Sequence, residues 1–265
     1  VDIKEVLRKE FENNQTPPDR DKIRGILAAN DGARIRTWLS ICSRCGLCAE
    51  SCFVYLANDR DPRLSPAYKF QKTLGEMYRH KGKLAPQFFE KCYEIAWLQC
   101  TLCKRCSIYC PFGIDIATMM TISRHVCHSQ GFKPKSLSDF SENCRQSGNH
   151  MAMPVEELVD TCDWMEEETE DEYQGVKIPV DRPNVEYMYT INPREPVYYP
   201  QDIAHAAIIF AAAEESWTIP SFGWDCTNLP MFCGDRALAG QQVRNVYEKA
   251  LELGAKKILI TECGH

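Results

Sequence analysis

Two runs of four cysteines constrain this chain more than any other feature of it. The first is Cys42-x2-Cys45-x2-Cys48-x3-Cys52, and the second is Cys100-x2-Cys103-x2-Cys106-x3-Cys110-Pro111. Thiolates at i, i+3 and i+6 can converge from one tight loop onto three corners of a cubane, the spacing at which proteins hold [4Fe–4S] clusters. CxxC pairs also bind zinc in tetrahedral thiolate sites. Zinc leaves the evenly tripled spacing and the repeated fourth cysteine without a purpose. The runs therefore predict two [4Fe–4S] clusters.

Each run resembles the cysteine run of bacterial-type ferredoxins, the second down to its proline, and there the fourth cysteine ligates the other cluster. On that pattern Cys42, Cys45, Cys48 and Cys110 hold one cluster, and Cys100, Cys103, Cys106 and Cys52 hold the other. The spacer between the runs, residues 53–99, is far longer than a compact ferredoxin uses. Within it, residues 66–80 and 86–98 read as helices packed through Phe70, Leu74, Met77, Phe88, Ile95 and Leu98, and Pro66 suits a helix start. Trp38 reads as core beside the first cluster. Such a helical spacer resembles the α-helical ferredoxin domain of succinate dehydrogenase and heterodisulfide reductase subunits. Further helices over residues 3–13, around Ile23, Ile26 and Leu27, and over 113–128 complete a predicted domain at 1–130.

Composition excludes several classes of protein. With 31 basic and 37 acidic residues the net charge is −6, which disfavours broad nucleic-acid binding. No uninterrupted apolar stretch reaches the roughly 18 residues of a membrane span. Val1-Asp2-Ile3-Lys4-Glu5 lacks the basic and apolar regions of a signal peptide. The 15 cysteines are an odd number in a long chain, unlike a disulfide scaffold. Metal thiolates point instead to a reducing compartment, the cytoplasm, so a membrane role requires a partner subunit. Cys92, Cys127, Cys144 and Cys162 fall outside ligand spacing and read as small buried hydrophobes; His80, His125, His128 and His150 read as core or surface residues.

Residues 131–180 are expected to form an acidic connecting segment. A helical turn or two is predicted at Val155–Val159, and the run Glu166–Glu172, interrupted by Thr169, reads as a solvated face or loop, or as a dock for a basic partner. From 181 to 265 the texture becomes α/β. Strands are expected at 185–191, 217–222 and 256–261, with helices at 201–216 and 235–253. The second helix is read as packing through Val243, Val246, Tyr247, Ala250 and Leu251. That order predicts a parallel sheet. Function in such sheets collects at the carboxyl ends of strands, where Cys226, Cys233-Gly234-Asp235 and Cys263 are expected to meet as a redox or metal site. Three isolated buried cysteines are the alternative.

The helical cluster domain, followed by Phe232-Cys233-Gly234-Asp235, a helix, and a strand ending Thr261-Glu262-Cys263-Gly264-His265, resembles the HdrD-like heterodisulfide reductase subunits. Within them it is most similar to the DsrK-like catalytic subunits of DsrMKJOP-type membrane complexes. The resemblance implies an α+β multi-domain chain: an α-helical ferredoxin domain with two [4Fe–4S] clusters, then a partial α/β domain of Cys-Cys-Gly type. It implies catalytic roles for Cys226, Cys233 and Cys263, and a third, noncubane [4Fe–4S] cluster in the complete protein. It further implies quinol-derived electrons from a membrane haem b subunit, a DsrC-like sulfur carrier as substrate, and attachment to the inner face of the cytoplasmic membrane through partners. Two departures stand out. Phe232 occupies the place of a paired cysteine, and no cysteine lies near 208–213. The chain is accordingly expected to be the N-terminal portion of a longer protein. Two rivals remain: an electron-transferring subunit like those of glycolate or glycerol-3-phosphate dehydrogenases, and an assembly module with structural metal.

Overall fold

The computed structural model describes residues 17–261. The helix expected at 3–13, together with Cys263 and its neighbours, lies outside the described residues. The chain divides into two compact units. One comprises the described residues up to Leu137 together with Met231–Asp235, and the other Ser138–Pro230 and the described residues from Arg236 onward. Among the described residues, no helix is long and apolar enough to cross a membrane.

The first unit is helical. Helix α1 (Arg20–Ala29) starts at Asp19, whose carboxylate accepts from Lys22 N at 3.0 Å, one of the orphan donors of a first turn. α2 (Ala33–Ile41) delivers Cys42, and the short α3 (Leu47–Glu50) and α4 (Phe53–Leu56) follow. At Ser65 a side-chain cap to Tyr68 N and Pro66 at the first helical position open α5 (Pro66–Phe70). It continues through a π-helical Gln71–Gly75 into α6 (Glu76–Arg79). α7 (Pro86–Tyr93) likewise runs into a π-helical Glu94–Leu98. α8 (Arg105–Ile108) and α9 (Ile116–Ser129), the latter capped by Asp115 accepting from Thr118 N at 3.1 Å, close the cluster region.

Phe70, Leu74, Met77, Phe89, Met119 and Val126 are fully enclosed in one core, each contributing about 1.5–3 kcal/mol by leaving water. Trp38 and Phe88 pack against that core, as the sequence predicts. Leu98 does not: it is 46% exposed. It ends the π-helical turn, where i→i+5 bonding widens the spiral and breaks the 3.6-residue register that would have carried it inward.

The second unit holds a three-stranded parallel sheet in the order β2-β1-β3, with β1 Tyr187–Thr190, β2 Trp217–Thr218 and β3 Lys257–Ile260. Tyr187 faces Trp217 across one pairing and Lys257 across the other. β2 is shorter than expected because Pro220, lacking an N–H, cannot extend a ladder. Residues 155–172 form one long helix, α11 (Val155–Glu172), preceded by α10 (Lys135–Ser147). Leu158, Cys162, Met165 and Thr169 are buried along a single stripe, while Asp160, Asp163, Glu167, Glu168 and Glu170 are exposed. The charge run had hidden that stripe. α12 (Arg194–Tyr198) and α13 (Gln201–Ala212) follow β1, and Phe210 of α13 stacks on Trp217 at 4.5 Å. After α14 (Leu229–Cys233), helix α15 (Arg236–Glu252) packs through Leu238, Ala239, Gln242 and Ala250. The face chosen from sequence is only partly right, since Val243, Tyr247 and Leu251 are exposed. Gln242 takes an inward position because its amide donates to Gly148 O at 3.2 Å.

Candidate metal centre

Both cysteine loops have the same backbone device. In the first, Arg44 (φ 57°) and Gly46 (φ 84°) are left-handed; in the second, Leu102 (φ 61°) and Lys104 (φ 64°) are. These are equivalent positions, two and four residues after the leading cysteine. Each reversal costs a non-glycine residue roughly 1–2 kcal/mol, and together they turn three thiols towards one point. α3 and α8 then begin directly, carrying Cys48 and Cys106.

Two cavities result. Cys42, Cys45, Cys48 and Cys110 line one, walled by Phe70 and Ile114. Cys52, Cys100, Cys103 and Cys106 line the other, walled by Pro66 and Met120. Each thus draws three cysteines from one run and the fourth from the other. Among the described residues no three His, Cys, Asp or Glu side chains close around a single ion; the thiols ring a volume instead. Burial pushes the Cys48 thiol up to about 11, with Cys42, Cys110 and Cys45 adding to the shift. Cys106 is pushed to about 12 by burial and then by Cys100, Cys103, Cys48 and Cys52. Four thiolates this close repel one another unless a cationic core lies among them. The donor set and the space therefore fit an iron–sulfur core.

The surroundings of the two cavities differ. Lys69, 2% exposed, lines the second; its Nζ donates to Gln99 O and lies 3.7 Å from Cys52 Sγ. Arg124, equally buried on α9, donates to Ala96 O at 3.0 and 2.8 Å, to Cys100 O, and to Phe232 O at 3.0 Å. Burial lowers its pKa to about 10, against the pull of Cys100 and Cys233. Trp97 Nε1 also donates to Phe232 O, at 2.8 Å. Neither cation was foreseen as part of the site. Lys69 alone carries a signal, a basic residue between Tyr68 and Phe70, whereas Arg124 stands between polar Ser123 and His125.

The other candidate cysteines are distributed unequally. Cys226 sits at the carboxyl end of the sheet: its N–H donates to Ile191 O at 3.2 Å and its Sγ lies 3.3 Å from Thr261 Oγ1. Cys233 is fully buried and is counted with the first unit, while Cys263 lies outside the described residues. The turn after Cys233 is tight against α9. His125 Nδ1 is 3.0 Å from Gly234 O, and a Cβ on Gly234 (φ +88°) would sit 2.6 Å from Arg124 O. Sequence reasoning also missed a buried network. Asp225 Oδ2 accepts from His150 N at 3.0 Å and is 3.2 Å from His150 Nδ1, while Oδ1 accepts from Thr227 Oγ1 at 2.6 Å. His150 is a core residue, as expected, and so are Cys92, Cys127, Cys144 and Cys162.

Residues 38–114 match the 4Fe-4S dicluster domain family. The match contains both runs and supports [4Fe–4S] binding. The chain is also 24% identical over 253 residues to the Hdr-like menaquinol oxidoreductase iron-sulfur subunit of Archaeoglobus profundus. It is 26% identical over 261 residues to the Hdr-like menaquinol oxidoreductase iron-sulfur subunit 2 of Archaeoglobus fulgidus. Each match takes in 87% of this chain but 44% of the relative, so the chain spans less than half the length of both. No solved structure matches the chain.

Proposed function

We propose that this chain is an iron–sulfur subunit of an Hdr-like oxidoreductase, relaying electrons through two [4Fe–4S] clusters held by Cys42, Cys45, Cys48 and Cys110 and by Cys100, Cys103, Cys106 and Cys52. The observation that carries the reading is the pair of cavities, each ringed by four thiols in that crossed grouping. When bound, such clusters supply one-electron storage and transfer. The chain's own residues supply eight thiolates, apolar walls that exclude water, and buried donors beside the second site.

The finer reading follows the sequence resemblance. Electrons from quinol reach the chain through a membrane haem b subunit of a DsrMKJOP-like complex on the inner face of the cytoplasmic membrane. They leave towards a thiol–disulfide or trisulfide site acting on a DsrC-like carrier protein. Cys226, Cys233 and Cys263 belong to that site, with a third, noncubane cluster in the longer protein. The relatives, named as menaquinol oxidoreductase subunits, support the quinol side of this reading. A second reading, a relay without a disulfide site as in glycolate or glycerol-3-phosphate dehydrogenases, is favoured by Phe232 standing where a paired cysteine would.

Iron and acid-labile sulfide analysis of the anaerobically purified protein tests the relay: about eight of each are expected for two cubanes, and zinc in their place would sink it. Electron paramagnetic resonance (EPR) of the thiol-treated, oxidised full-length protein separates the two readings. A paramagnetic species lost in Cys233→Ala or Cys263→Ala marks a disulfide site; its absence leaves the simple relay.

A further inference from the structure

Two equal sets of four thiols need not hold clusters of equal potential, and the charges around them are unequal. The first cavity has one cation in its lining, Arg44, which is exposed along with Cys45. Water and salt screen such a charge. The second cavity has exposed Lys104 and Arg105 in its lining and, in addition, buried Lys69. Behind it stands buried Arg124, bonded to the carbonyl of ligand-bearing Cys100. Among the described residues, Lys69 and Arg124 are the buried cations of the whole unit.

We propose that Lys69, supported by Arg124, poises the cluster held by Cys52, Cys100, Cys103 and Cys106 at the higher reduction potential, making it the one on which electrons collect. The inference rests on the two-cluster reading above. Reduction adds one electron to a site whose thiolates already make it anionic, and no bond to Lys69 or Arg124 forms or breaks. A cation 3.7 Å from a ligand sulfur in dry surroundings favours the more negative state, as an adjacent cation favours an ionised carboxylate by 1–3 pKa units, about 10- to 1000-fold. Hydrogen bonds towards cluster sulfurs raise a potential in the same way. The placement gives the asymmetry a direction. Within the same compact unit Arg124 links the Cys100 carbonyl to the Phe232 carbonyl, immediately before Cys233. Electrons collected on the second cluster are thereby held beside the turn that carries a candidate catalytic thiol.

The test is a dithionite titration of the cluster-loaded protein followed by EPR, with signals assigned through Cys45→Ser and Cys103→Ser, each of which perturbs one set. In the unmodified protein the second set is expected to be reduced first. Lys69→Met should lower its reduction equilibrium by tenfold or more, 59 mV for one electron, and leave the first set unchanged. Lys69→Arg, which keeps the charge, should restore most of the shift. Should Lys69→Met fail to hold the cluster, Lys69→Gln serves as the neutral variant with a donor retained. A second set reduced last in the unmodified protein, or neutral variants that move neither midpoint or both equally, would overturn the inference. Iron and sulfide analysis of the same samples tells the failures apart. Zinc, or iron for a single cluster, overturns the functional reading and this inference with it. A full complement of iron with unmoved midpoints overturns this inference alone.

Discussion

In the loops 42–48 and 100–106 three thiols are gathered by seven consecutive residues, two of them left-handed at equivalent positions. The thiol of Cys226 is held in another way. Its loop is fastened by Ile191 across a bridge to Asp225, by Thr261 beyond the end of β3, and by His150 and Thr227 on the Asp225 carboxylate. The first arrangement is local and depends on a few backbone dihedrals. The second is assembled from segments far apart in the chain and depends on the whole unit being folded. One difference in construction predicts two kinds of vulnerability.

The largest effect is expected where the local loops need a distant ligand. Cys110→Ala should abolish the cluster of the first set, although Cys110 belongs to the second run, and remove about half the iron. Iron analysis with EPR reads this, and loss of the second-set signal alone would break the crossed grouping. Next comes the assembled loop. Asp225→Ala leaves the His150 N–H and the Thr227 hydroxyl without their acceptor, and a buried donor left unsatisfied costs about 1–3 kcal/mol. Denaturant unfolding of the second unit should register it; a cost near zero would mean that the Cys226 loop is as self-sufficient as the cluster loops.

Two glycines sharpen the comparison further. Gly234→Ala forces a Cβ to within 2.6 Å of the Arg124 carbonyl as well as straining the backbone, for roughly 2–3 kcal/mol. Gly46→Ala meets nothing within 4 Å and should cost only the left-handed strain, about 1 kcal/mol. Equal losses in thermal denaturation would show that the Cys233 turn is not pressed against α9.

The smallest effect is a pH dependence at that same contact. Burial, and then Lys133, lowers His128 to about 4 from an ordinary 6.5. Its neutral form therefore favours the folded state. The contribution is complete above pH 6.5 and is lost as pH falls towards 4, because the unfolded chain binds the proton first. The fall in melting temperature between pH 6.5 and 5 should be shallower in His128→Gln, and an identical slope would remove His128 from the account.

Much of the cluster region was legible beforehand, because spacing within one loop translates directly into convergence of side chains. The helical spacer was legible too, except at Leu98, where a π-helical turn displaced a residue that 3.6-residue periodicity had sent inward. In the second unit the parallel sheet followed from the alternation of elements. The acidic helix α11 did not, since exposed charges such as Asp163, Glu167, Glu168 and Glu170 outnumber the buried stripe they alternate with. Nor did the buried face of α15, where Gln242 goes inward and Tyr247 stays out. Hydrophobicity ranks residues by type, whereas packing selects them by the partner each one meets.

The order of residues by itself determined that eight thiols would be offered in two runs of four, and that a parallel sheet would follow. Those conclusions rest on short-range geometry, the convergence possible in a loop and the period of a helix or strand. Tertiary structure decided that Lys69 and Arg124 would be buried beside one set and not the other, and that Cys233 would fall in the cluster-bearing unit. A charge influences a site through distance and dielectric, and neither exists until the chain has folded around it.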